Sequence, residues 1–230
     1  MPEDMCKISD SPWIRPGPAF LEPFLDHGEL WAYGRGSVIY FQGEYSQGVL
    51  YLRKGRLKVS LYHEDGREKV LGVHEAPATF GETAAFDGGP YFCSAVALDP
   101  CHVYLFRKGV IARLIHSNPE ISISLLESVG RKFRALALQV EDLAFLLAPM
   151  RIAHLLEKLL IDYGVITTAG ERLSIPVTHQ ELADLAGTSR VTVTSFLNQL
   201  EKEGIIQKGR KIIYVHDAGR LHGLQRRAQR

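Results

Sequence analysis

The residues of this chain best suited to chemistry gather near its C-terminus, and the chemistry is hydrogen bonding to phosphates and base edges. Thr178-His179-Gln180-Glu181 has the pattern of a capping box, in which the threonine hydroxyl accepts from the backbone N–H three residues on and the glutamate reaches back. The helix it starts turns Leu182, Leu185 and Ala186 inward and stops at Gly187, a residue suited to a left-handed turn. Thr188-Ser189 offers a fresh N-cap, Ser189 the better of the two, for a second helix that buries Val193, Phe196, Leu197 and Leu200. Two short helices joined by a glycine-containing turn make a helix-turn-helix, whose second helix enters the major groove of DNA. Its DNA-facing positions are Arg190, Val191, Thr192, Thr194 and Ser195, with Ser189 at its cap and Thr178 and Gln180 at the head of the first helix as further DNA contacts. The Arg190 guanidinium suits a guanine edge or a phosphate, and the methyls of Val191 and Thr192 suit thymine methyls. Downstream, Ile205-Ile206 and Ile212–Val215 flank Lys208-Gly209-Arg210-Lys211, the pattern of a β-hairpin wing with Lys208, Arg210 and Lys211 at its basic tip.

The elements that must position these residues show two hydrophobic periods. From about Leu30 to Phe106, short apolar runs such as Val49–Leu52 and Val103–Phe106 are punctuated by glycines, as in a β-sandwich or barrel. Asp65-Gly66 supplies a tight hairpin between Leu57–His63 and Glu68–Val73. Beyond Pro119 the period changes. Leu126, Val129, Phe133, Leu136, Val140, Leu143 and Leu147 follow one another at alternating steps of three and four, the seam of a coiled coil. A seam so narrow points to a second copy of the chain, giving a homodimer. Pro149 interrupts the run, helical periodicity resumes over Ile152–Leu160, and Gly164 ends it. The expected fold is α+β: a β-sandwich or barrel over 1–117, a dimerisation helix over 118–148, and a winged helix-turn-helix over 149–230.

Bulk properties exclude several classes. The 230 residues are 46% hydrophobic and 23% charged, near globular averages. No apolar run approaches the ~20 residues that cross a bilayer, and Met1–Trp13 lacks the basic start and apolar core of a secretory signal. The expected location is the cytoplasm, with no membrane partner. Cys6, Cys93 and Cys101 cannot pair off completely within one chain and lack the spacing of a zinc or iron–sulfur site. From Pro176 onward nine lysines and arginines stand against five acids, a net +4, which leaves −3 for the rest of a chain whose overall charge is +1. That asymmetry concentrates positive potential at the end that reads as DNA-binding.

These residues resemble the family of the cyclic-AMP receptor protein and the fumarate-nitrate regulator from about Leu30 to Val215. The most specific stretches are Phe80–Phe86, Asn118-Pro119-Glu120, Asp142–Leu146 and Thr178–Ile206, and Arg190 matches the family's recognition-helix arginine. The resemblance implies that the β-domain is a β-roll or jelly-roll sensor, a cyclic-nucleotide-binding-like effector domain, joined by a dimerising helix to a winged helix-turn-helix on a palindromic promoter site, with RNA polymerase as a further partner. It also implies an effector site built from Gly81, Glu82, Thr83, Tyr91, Phe92 and Ser94 of the β-domain with Lys132, Phe133, Leu136 and Ala137 of the long helix.

The chain departs from the cyclic-nucleotide binders in that region. Where they carry an Arg-Ser or Arg-Thr pair that grips the cyclic phosphate, Gly88–Ala95 has no arginine, and their adenine-contacting hydroxyls correspond to Leu136 and Ala137. An ungripped phosphate would lose its charge-assisted hydrogen bonds, so cyclic AMP is rejected as the effector. Within the family the chain looks most like the halogenated-aromatic-sensing regulators of organohalide respiration, through Ala95–Pro100 and Val191. A small aromatic or carboxylate effector is expected, with Tyr91, Phe92, Phe133 and Leu136 as walls and Lys132 or Arg134 near a negative charge.

Three competing readings stand beside this one. A haem-based gas sensor of the same fold would draw an axial ligand from His27, His63, His74, His102 or His116. A metal-dependent cupin-like enzyme needs clustered His and Glu ligands, for which only His63-Glu64 and His74-Glu75 are close pairs. No nucleophile–base pair is visible, and the chain is expected not to be an enzyme or to hold a metal. A redox switch at Cys6 or Cys93 requires an exposed thiol of lowered pKa.

Overall fold

The computed structural model describes residues 12–14, 17, 19–167, 170–173, 175–209 and 212–226. Cys6, Arg210 and Lys211 lie outside the described residues. The chain divides into two compact units, one spanning Pro12–Arg134 and the other running from Ala135 onward. The division falls inside a helix, between the ends of the 118–148 segment read from the sequence.

The first unit is built on two sheets. Trp13–Ile14 (β1), Glu29–Tyr33 (β2), Val38–Tyr40 (β3), Gly48–Lys54 (β4), Arg56–Tyr62 (β5), Glu68–Glu75 (β6), Ala78–Phe80 (β7), Ser94–Ala97 (β8) and Cys101–Arg107 (β9) supply the strands. One sheet has the order β1-β6-β5-β8-β3 and the other β2-β9-β4-β7. Every strand pair is antiparallel except β1 with β6. Their inner faces make a core around Leu50, Leu52, Leu57, Phe80, Ala95 and Val103. The β5–β6 hairpin turns at His63–Arg67, where Gly66 adopts φ 84°. That conformation favours glycine. A bulge between Val59 and Ser60 interrupts the alternation of β5, burying Ser60 and leaving Leu61 half-buried.

Glu82–Asp87 (α1) and Lys108–Ser117 (α2) follow β7 and β9, and Glu120–Phe145 (α3) is the long helix. Ile121 and Leu125 of α3 enter a second core with Leu21, Val49, Tyr51, Phe106 and Ile111. Thus α3 carries two stripes of heptad spacing. Ile121, Leu125, Ser128, Lys132, Ala135 and Gln139 are buried or nearly so. On the other stripe Leu126, Phe133, Val140, Leu143 and Leu147, the last just past the helix end, are 46–73% exposed in the single chain, with Val129 and Leu136 half-buried.

In the second unit Ala148–Tyr163 (α4) begins afresh, with Pro149 in its first turn, where a missing N–H costs nothing. Proline therefore starts α4 rather than kinking one continuous helix. Gly164–Thr167 (β10), Gly170–Leu173 (β11), His179–Ala186 (α5), Arg190–Lys202 (α6), Ile206–Gly209 (β12), Ile212–Val215 (β13) and Ala218–Arg226 (α7) complete the chain. The wing is part of a four-stranded sheet, β10-β11-β13-β12. Against α4 pack α5, α6, α7 and β11, enclosing Ile152, Leu156, Leu182, Val193 and Leu197.

Candidate DNA-binding face and effector pocket

Local chemistry fixes both helices of the helix-turn-helix. Thr178 Oγ1 accepts from the Glu181 N–H at 3.1 Å while the Glu181 carboxylate accepts from the Thr178 N–H at 2.7 Å. Gly187 ends α5 at φ 62°, and Ser189 Oγ caps α6 by accepting from the Thr192 N–H at 3.0 Å. Arg151 of α4 holds the turn, donating from Nε to the Ala186 carbonyl and from Nη2 to the Gly187 carbonyl.

The capped helix presents its first turn to solvent. Ser189, Arg190, Val191 and Ser195 are exposed, and Val191 is an apolar side chain left 78% accessible. Thr192 shares a hydrogen bond with Ser189, and Gln180 Nε2 donates to Asp184 at 2.7 Å. Thr194 is committed within the protein: its hydroxyl donates to the Arg190 carbonyl at 2.9 Å. Beside this turn lies a groove of about 460 Å³, lined by Val177, Thr178, His179, Gln180, Arg190, Lys208, Gly209, Ile212 and Ile213. The structure thus brings Thr178, Gln180, Arg190 and Lys208 together. Lys208 reaches the groove while pairing with Glu201 at 2.9 Å and donating to Asn198. His179 stands between the predicted contacts Thr178 and Gln180 and was not among them. Its ring is depressed below the usual histidine range by burial, then by Lys208 and Arg190. Nothing in the local sequence pairs it with those cations, which lie 11 and 29 residues away.

The first unit holds a smaller cavity of about 60 Å³. Gly81, Glu82, Thr83, Tyr91, Phe92 and Lys132 line it, six of the residues expected from the sequence. Tyr40, His74 and Cys93 line it too; the sequence reading weighs His74 as a haem or metal ligand and Cys93 as a redox thiol, and Tyr40 does not enter it as a pocket residue, because core and pocket residues look alike in a sequence. Ser94 is not in the lining; its hydroxyl accepts from the Gln42 N–H. Phe133 is also outside it, exposed on the opposite stripe of α3, and Leu136 and Ala137 belong to the other unit.

The cavity holds an internal ion pair but leaves two buried polar atoms of its lining, Glu82 Oε2 and His74 Nδ1, without a hydrogen-bond partner among the described residues. Lys132 Nζ donates to the Thr79 carbonyl at 2.7 Å and to Glu82 Oε1 at 2.5 Å, and both side chains of the pair are largely buried. Tyr40 and Tyr91 stack with ring centroids 3.7 Å apart. His74 is buried and held well below the usual histidine range by desolvation and then by Lys132, so it is neutral. Burial pushes the Cys93 thiol up to about 11, the opposite of what a thiolate-based redox switch needs. Of the five histidines weighed as haem ligands only His74 lines the cavity, and at about 60 Å³ the cavity must widen to admit haem or a small aromatic effector alike. Among the described residues no group of three or more His, Cys, Asp or Glu is placed to hold a metal ion.

A β-roll with an internal cavity, a long helix and a capped helix-turn-helix with a wing define an effector-domain regulator that binds DNA. The profile of the cyclic nucleotide-binding domain matches residues 30–118, and that of the Crp-like helix-turn-helix domain matches residues 150–224. The cyclic AMP receptor protein of Thermus thermophilus is 32% identical over 190 residues, 82% of this chain and 84% of that protein. The cAMP-activated global transcriptional regulator CRP of Pasteurella multocida is 32% identical over 197 residues, 85% and 94% of the two chains. The chain belongs to the family of the cyclic-AMP receptor protein and the fumarate-nitrate regulator, and it is a DNA-binding transcriptional regulator with an effector-binding domain. Its fold is shared with a CooA mutant from Carboxydothermus hydrogenoformans (TM-score 0.79, 21% identity, 89% of this chain and 90% of that one). It is shared equally with OCPA-complexed CprK (TM-score 0.78, 20% identity, 91% and 98%). Among the described residues no helix is long and apolar enough to cross a membrane.

Proposed function

We propose that this regulator acts as a homodimer on a palindromic promoter site, in the cytoplasm and with RNA polymerase as a partner. We propose further that its effector is a small aromatic or carboxylate compound and not cyclic AMP. The observation that carries the effector reading is the cavity lining. It contains no arginine among the described residues, and its one cation, Lys132, is already matched by Glu82. A cyclic phosphate placed there would meet a carboxylate and neutral side chains, losing several kcal/mol in desolvation without compensating bonds. The Tyr40–Tyr91 stack and Phe92 instead favour a flat apolar group, and a carboxylate on that group, like a phosphate, would reach Lys132 only by displacing Glu82, so the aromatic face carries the reading.

In the homodimer the exposed stripe of α3 pairs with its copy, and the two α6 helices face successive major grooves about 34 Å apart. The effector acts by binding one arrangement of the DNA-reading units more tightly than another, since only differential affinity shifts an equilibrium. Arg190, Val191, Thr192 and Ser195 meet the duplex, with Thr178, Gln180, Lys208, Arg210 and Lys211 on its backbone.

The test is calorimetric titration of the full-length protein with cyclic AMP and with a series of substituted benzoates and phenols, followed by DNA binding with each hit. Cyclic AMP is expected to give no heat of binding at concentrations where a benzoate or phenol does. Micromolar binding of cyclic AMP would overturn the effector reading. Arg190→Ala should weaken binding to a duplex selected by the wild type by roughly tenfold or more, since a bidentate contact carries about 1–3 kcal/mol; unchanged affinity would remove Arg190 from the DNA face.

A further inference from the structure

We infer that His179 is a phosphodiester contact that forms only when its ring carries a second proton, so that DNA binding by this protein takes up a proton. The inference rests on the reading of the groove beside α6 as DNA-facing, and it adds a residue and a protonation state to that reading.

The argument is one of hydrogen-bond bookkeeping. His179 Nδ1 lies 2.9 Å from Thr194 Oγ1. The Thr194 hydroxyl has a single hydrogen, and it is donated to the Arg190 carbonyl at 2.9 Å. Thr194 can therefore only accept from His179, which fixes the neutral ring in the tautomer that carries its hydrogen on Nδ1. The ring's other nitrogen, Nε2, then holds a lone pair. A lone pair repels a phosphate oxygen. Protonation at Nε2 turns the same atom into a charged donor without disturbing the bond to Thr194, so position and rotamer are set in advance.

The groove supplies the reason for the proton to arrive with the DNA. Facing His179 are Arg190 from α6 and Lys208 from β12, while Glu201 of α6 is engaged by Lys208 and Glu181 of α5 by the cap at Thr178. Burial and these two cations disfavour a third positive charge on the ring in the free protein. A phosphodiester entering the groove cancels their field and adds a negative charge of its own. The ring's proton affinity rises on binding, and by reciprocity DNA affinity rises as pH falls through the interval between the free and bound states.

The experiment uses full-length protein, a fluorescent random-sequence duplex of roughly 30 bp and low salt, where backbone contacts dominate. Affinity is measured from about pH 7.5 to about pH 6, the range in which histidine titrates. Wild type should gain between about threefold and tenfold, a single linked proton allowing at most about tenfold per pH unit. His179→Gln, with His154, His216 and His222 still present, should lose that gain while keeping its thermal melting temperature. His179→Lys, with a fixed charge, should bind independently of pH at about the wild type's low-pH affinity. A pH gain in His179→Gln equal to that of wild type would overturn the inference. Absence of binding by wild type at every pH would overturn the reading of the groove itself, an outcome distinguishable from the first.

Discussion

The pair Lys132–Glu82 and the neighbouring His74 govern the chemistry of the β-unit, and each makes a measurable demand. Two buried charges are tolerated only while they hold one another, so Lys132→Met leaves the Glu82 carboxylate buried without a counter-charge. That substitution should destabilise the unit by about 3–5 kcal/mol, and Lys132→Met with Glu82→Gln should recover much of the loss. Urea denaturation followed by tryptophan fluorescence checks this, because Trp13 and Trp31 both belong to the β-unit. His74 acts through pH. Its folded pKa lies well below the ordinary value of 6.5, so below that pH the unfolded chain binds a proton that the folded chain refuses. Stability is therefore complete above about pH 6.5 and falls as pH drops toward the folded pKa, by at most about 1.4 kcal/mol per unit. His74→Phe should flatten that acid limb; an unchanged limb would place the proton uptake elsewhere. At this scale the sequence was half legible. Lys132 and Glu82 both read as effector contacts, but their bond to each other joins residues 50 positions apart, and no local pattern encodes it.

Elements were more legible than residues wherever hydrogen bonds close locally. The capping box at Thr178 and the cap at Ser189 were readable because donor and acceptor lie three residues apart. Thr178→Ala should cost the DNA-reading unit about 1 kcal/mol in a thermal or urea melt. Gly187, at φ 62°, is readable for the same reason. What escaped were elements set by distant partners. The β10–β11 hairpin is two four-residue strands whose sheet is completed by β13, more than 40 residues on. The two-residue β1 exists only through its parallel pairing with β6. Arg151 belongs to this class, because its bonds to the Leu146, Ala186 and Gly187 carbonyls join the start of α4 to the end of α3 and to the turn before α6. Asp142 of α3 reinforces the junction, accepting from His154 at 2.8 Å and facing Lys158 at 3.5 Å. Arg151→Met removes three charge-assisted bonds and should lower stability by about 2–4 kcal/mol. Arg151→Lys should recover only part, since a point charge cannot span three divergent carbonyls. Equal stability of Arg151→Met and wild type would show the junction to be held by packing alone.

At the scale of the whole molecule the decisive feature is a stripe that the single chain does not cover. A helix that only packs on its own unit would bury its heptad seam, yet Leu126, Phe133, Val140, Leu143 and Leu147 remain exposed while the adjacent stripe from Ile121 to Gln139 is buried. The seam read from the sequence was thus one of two, and periodicity alone could not say which of them faces the protein's own core. Five large apolar side chains on one line are costly in water; if each loses about half its accessible surface against a copy, the gain is on the order of 1 kcal/mol apiece. Phe133→Glu with Val140→Glu should therefore abolish association while sparing the fold, since both positions are more than 60% exposed within the chain. Sedimentation should show a concentration-independent monomer with unchanged far-ultraviolet circular dichroism. Affinity for an inverted-repeat duplex should fall by about 10²-fold or more, because the second half-site then binds as a separate event rather than at the millimolar effective concentration that a linked copy provides. The same variant should lose much less affinity for a duplex carrying one half-site. A monomer that still bound the inverted repeat at wild-type strength would show that the stripe serves another partner, and that each DNA-reading unit finds its site alone.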